Sequence, residues 1–118
     1  MESNTLVQTV VRALASKKAQ DIIILDLQGL TVIADYFVIA TGSSSPNIKA
    51  LIDAVLDAAR KEGIKSVRPE GMDDPIWVLL DLGDVVVHVF DAEHRDFYQL
   101  ERLWIDARRI PLPEDARE

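Results

Sequence analysis

Cysteine is absent from the sequence, which excludes disulfides, thiolate metal sites and thiol nucleophiles and fits a reducing compartment such as the cytoplasm. Long apolar runs are missing too. Stretches such as Val85 to Val87 are interrupted within a few residues, far short of the roughly 20 that a membrane-spanning helix needs. The opening MESNTLVQTV has no basic stretch followed by an apolar core, so no signal peptide is expected. Positive charge is in short supply. Thirteen Lys and Arg against twenty Asp and Glu leave a net charge of −7, which opposes broad nucleic-acid contact, because such binding draws its affinity from clustered cations. A basic protein is the better-matched macromolecular partner, although negative charge also serves solubility alone.

What is present suffices for one core. The 118 residues, 48% of them hydrophobic, fit a single domain. Val7, Val10, Val11 and Leu14 follow helical spacing and predict a first helix that Ser3, Asn4 or Thr5 could cap. Asp21 to Leu27 and Tyr36 to Thr41 are β-branched runs closed by glycine-containing turns and read as buried strands. Ser43, Ser44 and Ser45 precede Pro46, a capping pattern that opens a helix from Pro46 to Glu62, with Gly63 at its end. Ile64 to Val67 reads as a short strand. A hairpin follows from Ile76 to Phe90 around Gly83-Asp84. Phe97, Leu100 and Trp104 mark a third helix, and the proline-broken residues after it predict a frayed tail. The expected architecture is α/β, with a mixed five-stranded sheet packed with helices.

The hairpin carries the most specific information. With Gly83-Asp84 as the loop, Leu82 faces Val85, Leu80 faces Val87 and Val78 faces Val89, an apolar face suited to a core. The other face pairs Asp81 with Val86, Leu79 with His88 and Trp77 with Phe90. Burying a lone carboxylate there costs several kcal/mol, so two readings stay open. Either helices cover this face and Asp81 finds a partner, or the face docks another protein around Trp77.

Catalytic patterns are sparse. Ala40-Thr41-Gly42-Ser43-Ser44 is similar to the phosphate-handling turn of nucleotidyltransferase folds, but the next acids, Asp53 and Asp57, sit four apart on a helix rather than paired on a strand for magnesium. Ser43, His88 and Asp84 lack a nucleophile elbow, and His88 and His94 lack ligand spacing. No catalytic residue, cofactor or metal is assigned.

Asp21-Ile22, Asp26-Leu27, the run from Asp35 to Ser44, Glu70-Gly71, the hairpin from Trp77 to Phe90, Arg95, Phe97-Tyr98 and Leu100 to Trp104 together resemble the ribosomal silencing factors, or Iojap family. The resemblance covers roughly Leu6 to Trp104. It implies a nucleotidyltransferase-like fold without the catalytic carboxylates, and a non-enzymatic translational repressor. Such a factor binds the large ribosomal subunit through its fourteenth protein and blocks small-subunit joining when nutrients fail, with little direct nucleic-acid contact. Organellar relatives act in ribosome assembly, so a large-subunit assembly factor is one alternative; a nucleotide-binding enzyme is another. The family's hairpin contact carries over to Trp77, Leu79, Asp81 and Asp84, with His88 and Tyr36 as secondary candidates. An exposed Trp-Leu-Phe face would also let two free copies pair. The expected domain is residues 1–105, with 106–118 as a flexible tail. Ser45-Pro46-Asn47 and the Arg108-Arg109 tail depart from the family pattern.

Overall fold

The computed structural model describes residues 2–65 and 67–117. Helix α1 (Ser3–Ser16) buries Leu6, Val7, Val10, Val11 and Leu14 along one stripe, the outcome of their three- and four-residue spacing. Strands β1 (Gln20–Asp26) and β2 (Tyr36–Gly42) pair antiparallel. Helix α2 (Ser45–Lys61) begins where the Ser44 hydroxyl accepts the backbone N–H of Asn47 at 3.1 Å. Pro46 occupies the first turn, where its missing N–H costs nothing. Strands β3 (Trp77–Asp81) and β4 (Val85–Asp91) form the hairpin. Two short helices, α3 (Ala92–Tyr98) and α4 (Leu100–Leu103), a strand β5 (Arg108–Ile110) and a 3-10 turn at Glu114–Ala116 complete the chain.

The mixed five-stranded sheet has the order β3-β4-β2-β1-β5, with β2 and β4 parallel in the middle. Both central strands are buried almost throughout. α1 and α2 cover one face, where Val38, Ala40, Val78, Leu80, Val85, Val87 and Val89 join the helix stripes in the larger core. The opposite face holds a smaller core of Leu25, Phe37, Ile39, Val86 and Phe90, roofed by Leu100 and Ala107. Fully buried side chains such as Phe90 each contribute roughly 1.5–3 kcal/mol relative to exposure.

Three expectations are corrected. Ile64, Lys65 and Val67 form no strand, and Ser66 lies outside the described residues. The Ile64 N–H instead bonds the Ala59 carbonyl to close α2, and Ile64 and Val67 pack on the core without a ladder. The fifth strand comes from the supposed frayed tail. Ile24, Leu25 and Asp26 of β1 pair with Ile110, Arg109 and Arg108, and Ala116 is buried in the larger core. Finally, Gln99 sits in the left-handed region (φ 48°, ψ 51°) and breaks the expected third helix into α3 and α4. Leu100 still turns inward, but Phe97 is left 75% exposed.

Candidate functional site

Register in the hairpin follows from its loop. Gly83 has φ 93°, a conformation that glycine adopts without a Cβ clash. The Leu82 N–H bonds the Val85 carbonyl at 2.9 Å. Asp81 then faces Val86, Leu79 faces His88 and Trp77 faces Phe90, the pairing expected from the sequence. The edge of β3 is not bare. Glu70 exchanges both backbone hydrogen bonds with Leu79, and Gly71 lies so close to the Trp77 carbonyl that a Cβ would collide with it.

The six predicted residues separate into three places. Trp77, Leu79 and Asp81 alternate along β3 and share one face, half-buried, half-buried and exposed in turn. Asp84 is exposed at the hairpin tip; its carbonyl accepts the N–H groups of Asp35 and Tyr36 at 2.8 and 3.1 Å and ties the tip to β2. The other two lie inside. His88 is 4% exposed and Tyr36 9%, so neither presents a free side chain at the surface of the hairpin face. Tyr36 belongs to the larger core on the opposite side of the sheet, because alternation along β2 turns residues 36, 38 and 40 toward the helices. Burial, with Asp26 and Asp35 nearby, raises its hydroxyl pKa above the usual value against the pull of Arg108.

His88 lies beneath Trp77. The Trp77 Nε1–H donates to His88 Nδ1 at 3.1 Å, which identifies Nδ1 as the unprotonated ring nitrogen. Burial pushes the imidazole pKa down from 6.5 to about 4, so the ring is neutral at pH 7. Its Nε2 is buried with no hydrogen-bond partner among the described residues. The Phe37 ring meets it edge-on at 4.6 Å.

Around Trp77 the rings form a continuous array. Phe90 stacks on the indole at 5.0 Å, and Tyr98 lies 5.0 Å from the indole and 6.3 Å from Phe90. Phe97 meets Tyr98 edge-on at 5.1 Å. Phe97, Tyr98, Leu103 and Ile105, none of them among the expected site residues, are all exposed. Phe97-Tyr98 was visible as an aromatic pair, but its outward turn depends on Gln99. Leu30, Val32 and Ile33, on the β1–β2 loop, are also exposed.

Arg95 holds this segment in place. Its Nε donates to Glu101 Oε1 at 2.8 Å, and its Nη1 donates to Thr41 Oγ1 at 2.8 Å and to the Asp21 carbonyl. Both ion-pair partners are largely buried. One guanidinium therefore spans α3, α4, β1 and β2. Charge is distributed elsewhere on the face: the Asp81 carboxylate accepts the Gly83 N–H at 2.8 Å but meets no cation among the described residues.

The turn at Gly42-Ser43 is occupied internally. The Asn47 Oδ1 accepts the Ser43 N–H at 3.0 Å, and the Asn47 Nδ2 donates to the Lys17 carbonyl at 3.0 Å. Among the described residues no group of three or more His, Asp or Glu side chains could hold a metal ion. No helix among them is long and apolar enough to cross a membrane.

Known proteins share this fold. A crystal structure of a protein from Chromobacterium violaceum superposes with a TM-score of 0.85 at 36% identity, covering 100% of this chain and 98% of the other. One from Bacillus halodurans gives 0.82 at 37% identity over 93% of this chain and 100% of the other. The ribosomal silencing factor of Bacillus subtilis is 42% identical over 107 residues, 91% of each chain. The chloroplastic Iojap protein of Zea mays is 34% identical over 109 residues, 92% of this chain and 47% of that one. The family described as ribosomal silencing factor during starvation matches residues 1–118, and the chain belongs to that family.

Proposed function

We propose that the chain represses translation by docking on the large ribosomal subunit, through its fourteenth protein, and occluding the surface that the small subunit must use. Trp77, Leu79, Asp81 and Asp84 make the contact, and Tyr98 with Phe97 extends it. The observation that carries this reading is the half-buried Trp77, stacked on Phe90 and flanked by Tyr98, on the same face of β3 as the exposed Asp81, whose carboxylate meets no cation among the described residues. A large aromatic at the centre and charge at the rim is the anatomy of a protein interface. Carboxylates at that rim attract a basic partner and speed encounter.

Occlusion requires no bond to be made or broken, so the chain acts without catalysis. The nucleotide-binding alternative is disfavoured by the Ser43 N–H, which is already spent on Asn47. Co-sedimentation with purified large subunits tests the reading: the wild-type chain pellets with them, and Trp77→Ala weakens the association. A chain that stays in the supernatant at micromolar concentrations, or a folded Trp77→Ala variant of unchanged affinity, contradicts it.

A further inference from the structure

His88 is an expensive residue for its position. It is 4% exposed, and its Nε2–H has no acceptor among the described residues. An unsatisfied buried donor costs about 1–3 kcal/mol, and a phenylalanine or leucine would fill the same site without that cost. What the imidazole offers in return is one acceptor, Nδ1, directed at the indole N–H of Trp77. That bond adds little to folding on its own, because a half-buried indole at the protein rim can give its N–H to water instead.

We propose that His88 is a positioning residue of the docking face: it takes the single N–H of Trp77, holds the indole in its docking orientation, and leaves it with only apolar surface to offer. The inference rests on the docking reading above and deepens it. The Trp77 ring is held from three directions, by the His88 bond, the Phe90 stack and the Tyr98 contact. An anchor already fixed in the free protein loses less freedom on binding, so more of its contact area appears as affinity. The partner also needs no acceptor for the indole. The recess that receives Trp77 is lined by apolar groups or by the stems and cationic heads of Arg and Lys, which favour an aromatic face.

The test separates positioning from packing because the two move stability and affinity in opposite directions. His88→Phe keeps a ring against Phe37 and removes the orphaned donor, so its melting temperature should equal or exceed that of the wild type. Its affinity for purified large subunits should nevertheless fall about fivefold, the worth of one ordering hydrogen bond. His88→Asn returns an oxygen near the place of Nδ1 and should recover affinity to within about twofold. In a Trp104→Phe background, the remaining indole proton should be protected from solvent exchange in the wild-type site and in His88→Asn, and exposed in His88→Phe.

Wild-type affinity in His88→Phe, alongside weakened binding in Trp77→Ala, would overturn the role of His88 and leave the docking face standing. A His88→Phe variant that loses affinity only in proportion to lost stability, with no recovery in His88→Asn, would overturn it as well. Undiminished binding by both Trp77→Ala and His88→Phe would bring down the docking face itself and the positioning role with it.

Discussion

Trp77 Nε1 and His88 Nδ1 stand 3.1 Å apart across the β3–β4 ladder, the first residue at the rim of the protein and the second inside it. The bond exists only while Nδ1 is unprotonated. It therefore links the surface geometry of the tryptophan to the protonation state of a buried group.

That link predicts a specific pH dependence. His88 titrates near 6.5 when the chain is unfolded and near 4 when folded, so between those values the unfolded state binds the extra proton. Stability from the neutral ring is complete above about pH 6.5 and is lost as pH falls through about 4, by about 3 kcal/mol in all. Urea unfolding at pH 7 and at pH 4.5 should show this loss in the wild type and a smaller one in His88→Phe. Equal losses would mean that His88 is not buried as a neutral ring.

Trp77→Ala should weaken docking on large subunits by at least about 1–2 kcal/mol, the usual cost of removing an interface tryptophan. Circular dichroism of the free variant separates this from unfolding, since Trp77 is only half-buried.

Asp81→Lys and Asp84→Lys should reduce the association rate more than they raise the dissociation rate. Their effect should shrink as salt rises from 50 to about 500 mM, because rim charges are screened beyond a few ångströms at high ionic strength. A salt-independent loss would place the two carboxylates away from a basic partner.

Arg95→Ala should cost about 2–3 kcal/mol of folding stability, because it strands the largely buried Glu101 carboxylate and the Thr41 hydroxyl. Hydrogen exchange should quicken from Ala92 to Ala107, the segment that carries Phe97 and Tyr98. Exchange that stays slow there would remove Arg95 as the clamp.

Residues near one another in the chain were the legible part. Gly83-Asp84 and the alternation on either side determine the hairpin register. Ser44, Pro46 and Gly63 bracket α2 almost to the residue. What escaped was decided at a distance or by a residue without a signature. Glutamine has no preference for positive φ, so nothing at Gln99 announced the break that turns Phe97 outward. Arg108-Arg109-Ile110 has neither alternation nor β-branched bulk, and it becomes a strand because β1 presents an unpaired edge. In the site, the β3 positions of Trp77, Leu79 and Asp81 were readable from register. The burial of His88 was not, because its cover comes from Trp77 on the facing strand and Phe37 on β2, whose own packing against Trp104 is decided far along the chain.

The tail is accordingly part of the fold. A chain ending at Ala107 loses β5, the Arg108–Asp26 ion pair and buried Ala116. It should melt several degrees below the full chain, as a loss of about 1–2 kcal/mol implies for a domain of this size. An unchanged melting temperature would return residues 108–117 to the status of a dispensable extension.

The most direct test of the central claim is the rate at which purified small and large subunits join, followed by light scattering, with the chain added in increasing amounts. Docking that occludes the joining surface predicts a rate that falls with concentration toward a floor, and Trp77→Ala should need at least about tenfold more protein for the same effect. Normal joining at a concentration that saturates the large subunits would contradict it.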